Sequence, residues 1–160
     1  MKIGIICAGD EELSPFLPMI KDCKTVEKAM LKFYAGRIDS IEVIALFSGV
    51  CKVNAAIGTQ LLVDLFGADM IINSGTAGGM DPGLDIFDTV ISTEVCYHDV
   101  APDILTEFHS RMESVFFTAD TQLIRQSKHA VQTISTAGQL LLGPGGTGDT
   151  LFIDFRRCNN

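Results

Sequence analysis

The chain has 160 residues, of which 47% are hydrophobic and 20% charged, with 15 glycines and 5 prolines. A chain of this length buries about 68–70% of its unfolded surface, and its Gly and Pro share is that of an ordinary globular protein, which excludes disorder and collagen-like repeats. Twelve Lys and Arg against 20 Asp and Glu leave a formal charge of −8, which speaks against a non-specific grip on nucleic acid or anionic lipid and fits small or neutral ligands. Five cysteines (Cys7, Cys23, Cys51, Cys96, Cys158) are widely spaced and lack a C-x-x-C pair, so they read as reduced thiols and not as a zinc site or redox dithiol. The apolar run at residues 3–8 is too short for a signal peptide and runs into the acids Asp10, Glu11 and Glu12. No apolar stretch approaches the ~20 residues of a membrane span. The expectation is a cytoplasmic protein with neither membrane nor nucleic-acid partner.

In chain order, the Ile-rich run at 3–8, bounded by Gly9, predicts a strand buried on both faces. A helix is expected over residues 11–21, with acids at its start where the dipole favours them and Pro15 and Pro18 limiting or bending it. Residues 33–38 and 41–47 flank Asp39-Ser40 as a hairpin, which makes the sheet mixed. Residues 50–66 place Val50, Val53, Ile57, Leu61 and Leu65 at steps of three or four, the pattern of one helical face, and Gly67 ends that helix. A buried strand at 70–73 leads into the Gly-rich SGTAGG, followed by an Asp81-Pro82-Gly83 turn, a strand at 87–95 and a helix at 121–131. Strands and helices alternate without repeat or linker. This predicts one α/β domain over 1–160, with ligands at the carboxyl ends of the strands.

Three places could carry chemistry. The acids Asp10, Glu11 and Glu12 follow the first strand, where a carboxylate could take a proton from water; Glu12 is the candidate, and the competing reading is that the acids only complement a helix dipole. In NSGTAGG, at 73–79, glycines let backbone N–H groups approach a ligand and Thr76 supplies a hydroxyl, although a simple tight turn is an equal reading. Neither a G-x-G-x-x-G fingerprint nor a G-x-x-x-x-G-K-[ST] loop is present, so NAD and ATP lose support. Cys96, Tyr97, His98 and Asp99 alternate across a strand and cannot all reach one metal ion, which favours a structural or interface role. His109 and His129 read as surface residues. No metal or other cofactor is expected.

These pieces closely resemble the methylthioadenosine/S-adenosylhomocysteine nucleosidases of the nucleoside phosphorylase superfamily. The resemblance rests on MKIGIICAGDEEL, FYAGRIDSIEVIALFSGVCKVNAA, IINSGTAGGM, DTVISTEVCYHDV and TGDTLFI, in that order. It implies a three-layer fold with a central mixed sheet flanked by helices. It also implies hydrolysis of the N-ribosyl bond of methylthioadenosine and S-adenosylhomocysteine, releasing adenine in methionine salvage, by water attacking the ribose carbon through an oxocarbenium-like state. On this resemblance Glu12 activates the water, and Val50 lies beside the sugar. Thr76, Ala77 and Gly78 cup ribose and base, Phe152 and Ile153 stack on and bind adenine, and the chain forms a homodimer. The acids after the first strand, where phosphorylase relatives carry a basic residue, favour water over phosphate.

The family's Met-Glu segment, which holds the ribose hydroxyls, and its Ser-Asp pair, whose Asp protonates adenine, do not occur in these 160 residues. GPGG interrupts what resembles a strand leading to TGD, and Leu151 is an extra residue before Phe152. The expected fold is thus incomplete at the C-terminus. The alternative function is a catalytically impaired, truncated remnant that keeps partial nucleoside binding or dimerisation.

Overall fold

The computed structural model describes residues 1–79, 81–97, 99–108, 112–133, 140–147 and 152–153. The chain divides into two compact units, Met1–Thr76 and Ala77–Asn160. Of the residues singled out above, His98, His109, Leu151, Cys158 and the Gly148-Asp149 of TGD lie outside the described residues.

The first unit begins with strand β1 (Lys2–Cys7), helix α1 (Asp10–Leu13) and a 3-10 turn at Leu17–Met19. Strands β2 (Lys21–Lys28), β3 (Leu31–Ile38) and β4 (Ile41–Phe47) follow, then helix α2 (Lys52–Asp64) and strand β5 (Met70–Asn73). The five strands lie in the order β2-β3-β4-β1-β5. β1 runs parallel to β4 on one side and to β5 on the other, while β2, β3 and β4 form an antiparallel meander. The sheet is mixed, as the hairpin at Asp39-Ser40 required; Asp39 makes that turn with φ of 50°.

Alternation along β1 and β4 divides the core between the two faces of the sheet. Ile5, Cys7, Val43 and Ala45 pack with Leu13 of α1 and with Ile20 on one face. Ile6, Ile44 and Leu46 pack with Phe33 and with Leu62 of α2 on the other. Both faces are therefore covered, which is what central strands without a polar face need.

Two helix expectations are corrected. Instead of spanning 11–21, α1 is a single turn that closes at Leu13, because Pro15 and Pro18 redirect the chain and Lys21 already belongs to β2. The helix expected over 50–66 spans Lys52–Asp64, and its apolar residues divide between two surroundings: Val53 is 68% exposed and Ile57 45%, whereas Leu61 packs against the core. Gly58 and Leu62 are the buried positions. A Cβ at Gly58 would touch Ile6, Leu46 and Ser48, so the missing side chain is what lets α2 lie close on the sheet. Gly67, at φ 64°, ends the segment as expected.

The second unit holds β6 (Gly78–Gly79), β7 (Thr89–Tyr97), α3 (Pro102–Phe108), β8 (Phe116–Thr118), α4 (Thr121–Thr133), β9 (Leu140–Thr147) and β10 (Phe152–Ile153). Its strands form a second mixed sheet in the order β6-β10-β9-β7-β8, with α4 packed on β7. The Asp81 turn forms as expected, with its carboxylate accepting from Gly83 N at 2.8 Å. GPGG does not interrupt its strand. β9 runs through it beside β7, and the register shifts between Ser92 and Glu94, opposite Gly143 and Pro144. A bulge placed there accommodates a proline that has no N–H to give the ladder, and the extra residue, Thr93, offers its carbonyl to Ala119 N instead.

Candidate active site

The parallel pairing of β1 with β4 and β5 aligns three strand ends on one edge of the first sheet. The segment after β1 carries Glu12, the turn after β4 carries Val50, and the segment after β5 carries Thr76. Sequence positions far apart thus share the edge where open α/β sheets bind ligands.

Glu12 is half-buried, and four donors reach its carboxylate. Oε2 accepts from Ala8 N at 2.9 Å and Gly9 N at 3.2 Å. Oε1 accepts from Thr76 N at 2.7 Å and from Thr76 Oγ1 at 2.9 Å. The bond to Gly9 makes Glu12 the third residue of α1 reaching back to its N-cap, so this acid caps the helix start. The bonds from Thr76, 64 residues away, are not capping. They tie the acid to the loop after β5, so Glu12 does more than cap its helix. Burial pushes its pKa up, but the Thr76 amide and hydroxyl and the Ala8 and Gly9 amides together outweigh that and hold it below the ordinary carboxylate value. Asp10 and Glu11 stay exposed at the helix start.

Beneath this carboxylate Cys7 is fully buried. Burial, and then the Glu12 charge, raise its thiol pKa to about 11. Ser48, also buried, donates its N–H to Cys7 O at 2.8 Å and its hydroxyl to Gly49 O at 2.9 Å, which ties the β4 turn to the end of β1. Gly49 turns at φ 82° and Cys51, before α2, at φ 88°. Val50 between them is 62% exposed, and its carbonyl accepts from Asn54 Nδ2 at 2.7 Å.

In the second unit, Phe152 pairs with Gly78 and Ile153 with Gly79 in a parallel ladder. The structure thereby makes neighbours of two segments that lie 74 positions apart in the sequence. Ala77 directly precedes β6. Cys96 is buried, and the Tyr97 ring meets Phe117 edge-on at 5.9 Å, in keeping with a structural role for that strand end. His129 is exposed on α4. Among the described residues no group of His, Cys, Asp and Glu is placed to hold a metal ion. The Ala8 and Gly9 amides were missed at the sequence level. Their signal was the spacing of Gly9 and Glu12, a cap and its third residue.

A mixed α/β arrangement with an acid at the carboxyl edge of parallel strands defines a class here: the sequence model of the Phosphorylase superfamily matches residues 2–152. The methylthioadenosine/S-adenosylhomocysteine nucleosidase of Halalkalibacterium halodurans is 38% identical over 158 residues, covering 96% of this chain and 68% of its own length. The nucleosidase of the same name from Colwellia psychrerythraea, solved in complex with adenine, superposes with a TM-score of 0.84 at 35% identity, over 94% of this chain and 63% of that one. That of Streptococcus pneumoniae, solved with a transition-state inhibitor, gives 0.81 at 31% identity, over 94% and 65%. This chain belongs to the methylthioadenosine/S-adenosylhomocysteine nucleosidase family and spans about two thirds of the length of these relatives.

Proposed function

We propose that this chain serves hydrolysis of the N-ribosyl bond of 5'-methylthioadenosine and S-adenosylhomocysteine, with Glu12 drawing the proton from the attacking water. The observation that carries the reading is the Glu12 carboxylate, ionised and fixed by four donors at the carboxyl edge of the sheet. A carboxylate has about four acceptor positions, so an arriving water must displace a donor or bind through one. The Thr76 hydroxyl is the donor that can rotate away without moving the backbone, and it can also accept from the water while still donating to Glu12. Val50, Thr76, Ala77 and Gly78 are assigned to the sugar and base, and the Phe152–Ile153 ladder to adenine.

Water is favoured over phosphate as nucleophile on electrostatic grounds. Backbone amides at a helix start are a ready anion site, but here the Ala8 and Gly9 amides are already occupied by the protein's own carboxylate. Phosphate would have to displace a tethered charge of its own sign. The exposed apolar residues of α2, among them Val53, Ile57 and Val63, are assigned to a homodimer contact. The thiols Cys7, Cys23, Cys51 and Cys96 fit a reducing cytoplasm, where methionine salvage would take place. Among the described residues no helix is long and apolar enough to cross a membrane.

The test is adenine release from methylthioadenosine, with and without phosphate. Release that needs no phosphate, with free methylthioribose as the other product, is expected, and Glu12→Gln should cut it by about 10²–10⁴-fold while nucleoside binding by calorimetry persists. Methylthioribose 1-phosphate as product would replace hydrolysis by phosphorolysis; unchanged turnover in Glu12→Gln would remove that acid from the mechanism.

A further inference from the structure

We propose that Gly75 is a positioning residue for Glu12: the absence of a Cβ at this position makes the seat in which the carboxylate rests. A Cβ built on Gly75 would lie 2.7 Å from Cδ, Oε1 and Oε2 of Glu12 alike, closer than carbon and oxygen atoms can stand, and no other group is as near. The backbone gives no separate reason for glycine here. Among the described glycines only Gly49 and Gly67 hold positive φ, so the Gly75 backbone is open to alanine. What bars alanine is the carboxylate itself.

The obstacle is the far end of a side chain and not a packed core, so the carboxylate, and not the fold, is what yields. Yielding has a chemical consequence, because the carboxylate sits between Gly75 and two pairs of donors. Backing away from a Cβ takes Oε1 from the Thr76 amide and hydroxyl, which belong to the very next residue. Those bonds are among the groups that hold Glu12 ionised. Glycine at 75 therefore lets a single segment both receive the carboxylate and donate to it.

This inference rests on Glu12 being the water-activating group, but its first readout does not. In the full chain, carboxyl carbon NMR should show the Glu12 titration moving up toward the ordinary glutamate range in Gly75→Ala. Turnover of methylthioadenosine should fall on the order of 10²-fold, the scale of an ångström's misplacement, with the nucleoside Kd retained. The thermal midpoint supplies the control for folding: whatever Gly75→Ala loses with Glu12 present, it should not lose in a Glu12→Ala background, where the seat is empty. An unmoved Glu12 titration, or an equal loss of midpoint in both backgrounds, overturns the positioning role. Normal turnover in Glu12→Gln together with a shifted titration would instead sink the functional reading and leave the seat intact.

Discussion

Two regions carry the candidate residues, and they are held in different ways. At the edge of the first sheet one side chain, Glu12, is fixed by donors drawn from Ala8, Gly9 and Thr76. In the second unit, Phe152 and Ile153 are placed by backbone pairing with Gly78 and Gly79. The first arrangement fixes a charge and sets its ionisation; the second fixes a strand edge and leaves chemistry to whatever lies against it. A side-chain substitution should therefore disturb the first region, and a backbone substitution the second.

The largest effect should come from undermining the sheet that carries the first region. Leu62 is fully buried between α2 and the sheet, and Leu62→Ala should cost about 2–5 kcal/mol in chemical denaturation. Val53→Ala, on the exposed side of the same helix, should stay within about 0.5 kcal/mol. Similar losses at both positions would mean that Val53 is packed as closely as Leu62. Next in size is Gly78→Pro, which sets a residue without an N–H into a two-residue ladder. It should weaken nucleoside binding and leave the Glu12 titration in place, since the donors to Glu12 all precede Ala77. A shifted titration would show that the two regions are not separately held.

A smaller effect follows from the ionisation of Glu12. Its folded pKa lies below the unfolded value of about 4.3, so the group contributes stability that is fully present above that value and lost as pH falls through the folded pKa. The urea midpoint of the wild type relative to Glu12→Gln should be constant from neutrality to about pH 5 and then narrow on further acidification. A gap independent of pH down to 3 would mean that the donors do not favour the ionised form.

Much of the first unit could be read directly, because its strands carry the information locally: an Ile-rich β1, a hairpin closed by Asp39-Ser40, and an apolar β5 running into glycines. β2 escaped notice since every one of its residues is exposed; an edge strand with no buried face has no alternation to reveal it. On α2 the apolar spacing reveals the helix but not its contact with the sheet, because counting large apolar residues overlooks Gly58, whose value lies in its smallness. Pro144 looked like a break because the bulge that admits it belongs to β7. Glu12 could be chosen from its place after β1, but its seat at Gly75 and its bonds to Thr76 are contacts across 63 and 64 residues. No local pattern encodes these.

The finest test lies just below the carboxylate. The charge that the four donors stabilise on Glu12 destabilises a second charge at Cys7, so one side chain is held ionised and its neighbour held neutral. With Cys7 raised to about 11, its thiolate fraction at pH 8 is about two orders of magnitude below that of an ordinary cysteine near 8.5. Its complete burial adds a requirement for opening. Native-state labelling with a disulfide reagent should therefore modify the exposed Cys23 and Cys51 readily and reach Cys7 only as the chain opens. Glu12→Gln removes the lesser of the two causes. Since burial, the greater cause, remains, Cys7 should stay slow in that variant, with a thiol pKa lowered only in part. Labelling of Cys7 as fast as Cys23 in the wild type would mean that the floor of the site is open to solvent, and the low-dielectric support beneath Glu12 would have to be abandoned.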